Sequence, residues 1–286
     1  MANIVGTSGN DTLNGTPNND SINGLAGNDG LNGQAGNDTY QFAVGAGVDH
    51  ISEFDVTVGN ADVATFTGVA STALTAVERQ GNGLALKYGT SDQVIVDNYF
   101  YAGSSGYKVE QFKFSNGVTW DEAAIKARVI TVGSSFGDFI TGYNDGTNRI
   151  YGFDGHDIIY GGALADLING GNGNDEINGG AGNDTLIGGL GADSLNGGLG
   201  NDTFDYNSVS ESPAGLGKDA IISFAGAGAA LGDRIDLTTI DANSLAAGNQ
   251  AFIWGGAFTA GHLRYVGGVL QGNTDGDTAA EFEIQL

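Results

Sequence analysis

Aspartate recurs every nine residues in two separate stretches of this chain, and so short a period leaves few ways to fold. Nonads starting at Gly170, Gly179, Gly188 and Gly197 all read G-G-x-G-x-D-x-U-x, where U is a large apolar residue. Upstream, the nonads at Gly152 and Gly161 keep the aspartate and the apolar position (Asp157 with Ile159, Asp166 with Ile168), although Leu164 stands where the third glycine belongs. Gly133 to Thr141 is degenerate, and Gly142 to Tyr151 carries one extra residue and loses the aspartate. The other stretch starts at Gly6, Gly15, Gly24 and Gly33, with Asp11, Asp20, Asp29 and Asp38 followed by Leu13, Ile22, Leu31 and Tyr40. There the second glycine is replaced by Thr7, Thr16, Leu25 and Gln34.

Nine residues divide into a six-residue turn and a three-residue strand. Side chains alternate along a strand, so position eight points inward and its neighbours outward. Ile177, Leu186, Leu195 and Phe204 then stack as an interior stripe. Two nonads per turn of a flattened helix bring equivalent aspartates together every eighteen residues. Asp157, Asp175 and Asp193 line one edge, and Asp166, Asp184 and Asp202 the other. Strands stack ~4.8 Å apart, where two carboxylates repel by roughly 0.9 kcal/mol in water and several times more when desolvated. A hard divalent cation that takes six to eight oxygens reverses that repulsion. Carboxylates and turn carbonyls without His or Cys point to Ca²⁺ rather than zinc or copper.

Composition fits an architecture that tolerates glycine: 51 Gly, 2 Pro and no Cys in 286 residues. Ten Lys and Arg against 34 Asp and Glu give a net charge of −24, which disfavours nucleic acid and anionic lipid as partners. With no disulfide framework, extra stability has to come from elsewhere, such as metal. Met1 to Gly6 has neither a basic nor an apolar signal region, and no apolar run approaches the ~20 residues of a membrane helix.

Residues 55–131 change texture. Leu84 to Tyr88, Val94 to Val96 and Phe112 to Phe114 read as strands, Gly81-Asn82-Gly83 and Asn116-Gly117 as turns, and Asp121 caps a short helix through Arg128. The expectation is an all-β chain of two parallel β-rolls, each followed by a β-rich cap that closes its open end. The boundaries are 1–54 for the first roll, 55–131 for its cap, 132–206 for the second roll and 207–286 for the C-terminal cap.

The nonads resemble the RTX (repeats-in-toxin) repeat. Asp92 to Phe100 and Phe112 to Trp120 resemble the β-rich segment that follows such repeats in haemolysin-type proteins. The tail, from Gly200-Asn201-Asp202-Thr203-Phe204 through Asp233-Arg234-Ile235-Asp236-Leu237, is similar to the C-terminal region of serralysin-type proteases. The resemblance implies export by type I secretion machinery that reads an uncleaved C-terminal signal, and folding outside the cell on Ca²⁺. It also implies a ligand set: Asp157, Asp166, Asp175, Asp184, Asp193 and Asp202, with backbone oxygens of Gly171, Gly173, Gly180, Gly182, Gly189, Gly191, Gly198 and Gly200. Asp11, Asp20, Asp29 and Asp38 are the corresponding candidates in the first roll. One ion per nonad beyond the first turn of each roll makes roughly eight.

Catalytic motifs are few in the sequence. Gly133-Ser134-Ser135-Phe136-Gly137 matches the nucleophile elbow, which needs a strand before it and a helix after it, but here it opens a degenerate nonad. The histidines are His50, His156 and His262, and there is no H-E-x-x-H. Asn273-Thr274-Asp275-Gly276-Asp277 reads either as one more Ca²⁺ loop or as a polar turn. The expected function is a secreted, non-enzymatic calcium-binding protein acting at a surface or host interface. The alternatives are a polysaccharide-binding or -modifying module, by analogy with RTX modules of alginate epimerases, and a membrane-active haemolysin-like protein.

Overall fold

Alternation within each nonad decides the fold, because one large apolar side chain per nine residues can be buried only by stacking it on its equivalents. The computed structural model describes residues 1–101, 105–225 and 232–286, so the expected cap 55–131 and tail 207–286 each include residues outside that description. The chain divides into two units, Met1–Ile130 and Thr131–Leu286.

In the second unit two parallel sheets face each other. One runs through Arg149–Asp154, Leu167–Asn172, Thr185–Leu190, Thr203–Asp205 and Arg234–Asp236. The other runs through Phe139–Thr141, Ile158–Gly162, Glu176–Ala181, Ser194–Leu199 and Asp219–Ile222. The register places Ile150, Ile168, Leu186 and Phe204 in one column and Ile140, Ile159, Ile177, Leu195 and Ile221 in the other. Both columns are buried in one continuous core. Position eight therefore points inward, and the repeats of this unit form a β-stack with two nonads per turn.

Five strands of this roll, Arg149–Asp154, Leu167–Asn172, Glu176–Ala181, Thr185–Leu190 and Ser194–Leu199, are six residues long rather than three. Gly171 adopts φ +111° and Gly173 φ +146°, which lets the chain stay paired through the first half of the expected turn before it bends. In the first unit, where Leu25 and Gln34 occupy the second position at φ +73°, the strands Ser21–Asn23 and Gly30–Asn32 keep the short length. Asn3–Val5, Ser21–Asn23, Thr39–Ala43, Val63–Thr67 and Gln111–Phe114 form one parallel series. Thr12–Asn14, Gly30–Asn32, Val48–Ile51 and Asp92–Val96 form the other. The roll is thus continued by strands that are not repeats.

That continuation turns antiparallel at Asp92–Val96, Gly83–Tyr88 and Leu74–Gln80. The Asp121 side chain accepts from Ala124 N–H and caps the helix Glu122–Lys126. In the tail, Phe282–Gln285 adds to Asp219–Ile222 in parallel and then pairs antiparallel with Val269–Asn273.

Candidate metal centre

Each repeat aspartate is aimed by the backbone of its neighbour. The N–H of Asp157 donates to Oδ1 of Asp175 at 2.9 Å, Asp175 to Asp193 at 2.8 Å, Asp166 to Asp184 at 2.8 Å and Asp184 to Asp202 at 2.9 Å. The first roll repeats the pattern from Asp11 to Asp29 and from Asp20 to Asp38. These are the two edges expected from an eighteen-residue turn. Asp29, Asp38, Asp157, Asp166, Asp175, Asp184, Asp193 and Asp202 are almost wholly buried, and the second oxygen, Oδ2, of each has no hydrogen-bond partner. A buried anionic oxygen without a donor is costly. Burial, aided by like-charged neighbours, pushes Asp175 and Asp184 up to about 6 and Asp193 up to about 7.

The first turns of both rolls differ. Oδ2 of Asp11 accepts from Thr7 N–H and hydroxyl, and Oδ2 of Asp20 accepts from the same groups of Thr16. These donors hold the Asp20 carboxyl below its ordinary range, led by the N–H of Ala2. Ser134 treats Asp138 in the same way. On the fourth first-turn edge Asn148 replaces the aspartate. Its amide donates to the carbonyls of Tyr143, Gly146 and Gly161 and to Asp166 Oδ1, at 2.9 to 3.2 Å. That cluster shows which oxygens converge between stacked turns: positions two and four of one turn, position one of the next, and the next aspartate.

Such a set, all oxygen and partly anionic, with orphaned Oδ2 atoms wherever no Thr, Ser or Asn closes it, fits a hard cation such as Ca²⁺. Gly171, Gly173, Gly180, Gly182, Gly189, Gly191, Gly198 and Gly200 occupy the positions of Tyr143 and Gly146, and all take positive φ. Leu164 is not among the positive-φ residues, and its carbonyl is displaced. Its oxygen lies 2.8 Å from where a Cβ on Gly182 would sit, whereas Gly173 O lies only 1.5 Å from the matching point on Gly191.

Four carboxylates that continue the ladders were not found from the repeat pattern. Asp29 N–H donates to Asp49, Asp38 to Asp62, Asp193 to Asp219 and Asp202 to Asp233. Their sequence offsets are 20, 24, 26 and 31 residues, so a fixed period misses them. Asp219 is buried with an orphaned Oδ2 and is pushed up to about 8, mainly by that burial. A second ladder runs along position five. Asn10 and Asn19 accept the N–H groups of Asn28 and Asn37, and Asn174 and Asn183 those of Ala192 and Asn201. His156 belongs to this ladder, its Nδ1 accepting from Asn174 N–H at 3.0 Å.

Ser134 and Ser135 lie in a first turn followed by the strand Phe139–Thr141, whereas a nucleophile elbow requires a helix there. His50 pairs with Asp97, and His262 with Thr259. Asp275, Asp277 and Glu281 converge, but Asp275, Asp277 and Glu281 each accept a nearby backbone N–H, as polar turns do. Among the described residues no helix is long and apolar enough to cross a membrane.

Residues 5–40, 132–168 and 169–204 match the family model for the RTX calcium-binding nonapeptide repeat, and residues 86–124 match the haemolysin-type calcium binding protein related domain. The iron-regulated protein FrpA of Neisseria meningitidis serogroup C is 36% identical over 117 residues, which cover 40% of this chain and 10% of that protein. The match thus spans about a tenth of that relative's length. Among solved structures, the AlgE6R3 subunit of the Azotobacter vinelandii mannuronan C5-epimerase superposes with a TM-score of 0.34 at 26% identity, over 53% of this chain and 71% of that one. The extracellular lipase LipA of Serratia marcescens gives a TM-score of 0.20 at 16% identity, over 99% and 37%. Repeat matches, stacked turns and aspartate ladders fall on the same segments: the chain is an RTX calcium-binding repeat protein, with a haemolysin-type calcium binding protein related domain after its first block of repeats.

Proposed function

We propose that this chain is a secreted, non-enzymatic protein whose rolls fold on calcium outside the cell and then present a surface for interaction. The observation that carries the reading is the row of buried, donor-less Oδ2 atoms on the repeat aspartates. Asp29, Asp38, Asp157, Asp166, Asp175, Asp184, Asp193 and Asp202 hold ions between successive turns, joined by the carbonyls of positions two and four and by the first glycine of the next turn. One ion for each of these eight aspartates adds +16 to a chain of −24. Asp11 and Asp20 drop out of the ligand set, because Thr7 and Thr16 already satisfy them.

Bound calcium supplies positive charge to carboxylates that otherwise repel one another in a desolvated stack. The ion binds the folded roll and not the dispersed chain, so its concentration sets the folded population. Sites of this type in extracellular modules work at ~10⁻⁴ to 10⁻³ M. Export by type I machinery suits such a chain, since it stays unfolded where calcium is scarce. Phe282 and Ile284 near the C-terminus are buried in the folded tail, so a signal there is readable only before folding.

A calcium titration followed by far-UV circular dichroism, with ions counted by native mass spectrometry, tests this reading. A cooperative gain of β-structure with several ions bound is the expected result. An identical spectrum in excess chelator and in millimolar calcium would overturn it.

A further inference from the structure

At one rung the ligand pattern departs from the repeat. The turn that follows Gly33–Asp38 on the same edge is the longer segment Glu53 to Asp62. Asp62 takes the place of the repeat aspartate, its Oδ1 accepting from Asp38 N–H at 2.7 Å. Glu53 takes the place of the position-one glycine and sends a carboxylate into the notch over the Cα of Gly33. Its Oε1 accepts from Gly33 N–H at 3.1 Å and from the hydroxyl of Tyr40. Oxygens of Asp38, Glu53 and Asp62 lie within 4.8 Å of one another, and all three residues are buried.

Two carboxylate oxygens of this group have no donor. Glu53 is 1% exposed with Oε2 unpartnered, and Asp38 is 1% exposed with Oδ2 unpartnered. The donors that are present are neutral: Asn60 Nδ2 to Asp62 Oδ2 at 2.8 Å, Tyr40 and Gly33 to Glu53. Among the described residues no Lys or Arg pairs with any of the three. Three carboxylates sharing one dry space need a counter-charge, and all the donor atoms are oxygen.

We infer that Asp38, Glu53 and Asp62 form a three-carboxylate site for a calcium-class divalent cation that fastens the first roll to the domain after it. Two of its ligands lie outside the nonapeptides. Asp62 carries the link onward, because its N–H donates to Glu110 Oε2 at 2.7 Å and its carbonyl accepts from the N–H groups of Glu110 and Gln111. Glu110 lies within residues 86–124, the haemolysin-type calcium binding protein related domain. Three carboxylates at one site outnumber the two of an ordinary rung. This cation is therefore held more tightly than its neighbours and is the last to leave on chelation.

The inference deepens the calcium reading and shares its premise that ions bind between turns. Glu53→Gln in the full chain separates the two. Native mass spectrometry in calcium is expected to count one ion fewer than in the parent chain. Thermal shifts at pH 9, where the Glu53 carboxyl is charged in the calcium-free chain, are expected to have opposite signs: Glu53→Gln melts higher than the parent in chelator, where a buried unpaired charge has gone, and lower in calcium. A full complement of ions in Glu53→Gln, or a shift of the same sign in both media, would overturn this site and leave the repeat sites standing. A parent chain that binds no ion would overturn both. Should Glu53→Gln not fold, Glu53→Asp keeps the charge but withdraws the oxygen by one methylene. It is expected to release its most tightly held ion at a several-fold lower chelator concentration, and an unchanged release profile would count against the site.

Discussion

The side-chain amide of Asn148 donates to Asp166 Oδ1 at 2.9 Å, and the same nitrogen reaches three carbonyl oxygens. One NH₂ group thus stands among oxygens that, at later rungs, face an aspartate and no donor. Asn148→Asp removes the donor and adds a carboxylate, which turns a closed rung into an open one. The expected outcome is one additional calcium ion by native mass spectrometry, together with lower stability in chelator.

The reverse contrast lies within the repeats. Asp175 touches two rungs, because Oδ1 is held by Asp157 N–H and Oδ2 is unpartnered. Asp175→Asn is expected to lose at least one ion and to raise the calcium midpoint of folding several-fold. Asp11→Asn, at a carboxylate already closed by Thr7, is expected to leave the ion count unchanged. Calcium titrations of the two variants by circular dichroism check both outcomes.

Much of this arrangement is legible in the sequence, and the boundary of what is legible has a physical cause. The period of nine fixes which residues face inward and which aspartates share an edge, because strand alternation and turn length are local properties. Leu186 between Ile168 and Phe204 follows from counting alone. The rungs supplied by Asp49, Asp62, Asp219 and Asp233 do not, since intervening loops of other lengths return the chain to the same edge. The closing role of Thr7, Thr16 and Ser134 was visible as a departure from glycine, but its meaning required knowing where the aspartate oxygen points. Glu53 is hidden for the same reason, since it stands where the repeat has glycine.

Acid should partly replace calcium. Burial raises Asp193 and Asp49 from an ordinary 3.8 to about 7, and Asp219 to about 8. A carboxyl with a higher pKa when folded binds protons more tightly in that state, so calcium-free stability falls as pH rises from about 4 through about 8. In chelator, the thermal midpoint is therefore expected to be higher at pH 5 than at pH 8. Calcium affinity runs the other way and weakens as pH drops through the same range, because protons compete for the oxygens. Melting curves and calcium titrations at the two pH values check both directions.

The interior stripe sets a stability requirement separate from the ions. Leu186 is fully buried, so Leu186→Ala leaves a cavity in the middle of the stack. The expected cost is about 2–5 kcal/mol, read as a lower denaturation midpoint in saturating calcium. The number of ions bound by the chain that remains folded is expected to be unchanged, which separates core packing from ligand loss.

One position in the first roll carries strain that can be relieved. Leu25 takes φ +73°, where glycine stands in the second roll, and its side chain is half exposed. A left-handed conformation costs a non-glycine residue about 1–2 kcal/mol. Glycine returns about 0.5–1 kcal/mol of that through its freer unfolded chain. Little burial is lost with a leucine that already faces solvent, so Leu25→Gly is expected to stabilise the first roll in calcium by about 0.5–1 kcal/mol. Gln34 shares the same φ, but its Nε2 also donates to Gly15 O at 2.5 Å, so Gln34→Gly exchanges a hydrogen bond for the relief of strain. The gain at Leu25 should therefore exceed that at Gln34. Equal shifts in the two denaturation midpoints would mean that backbone strain does not distinguish these two turns.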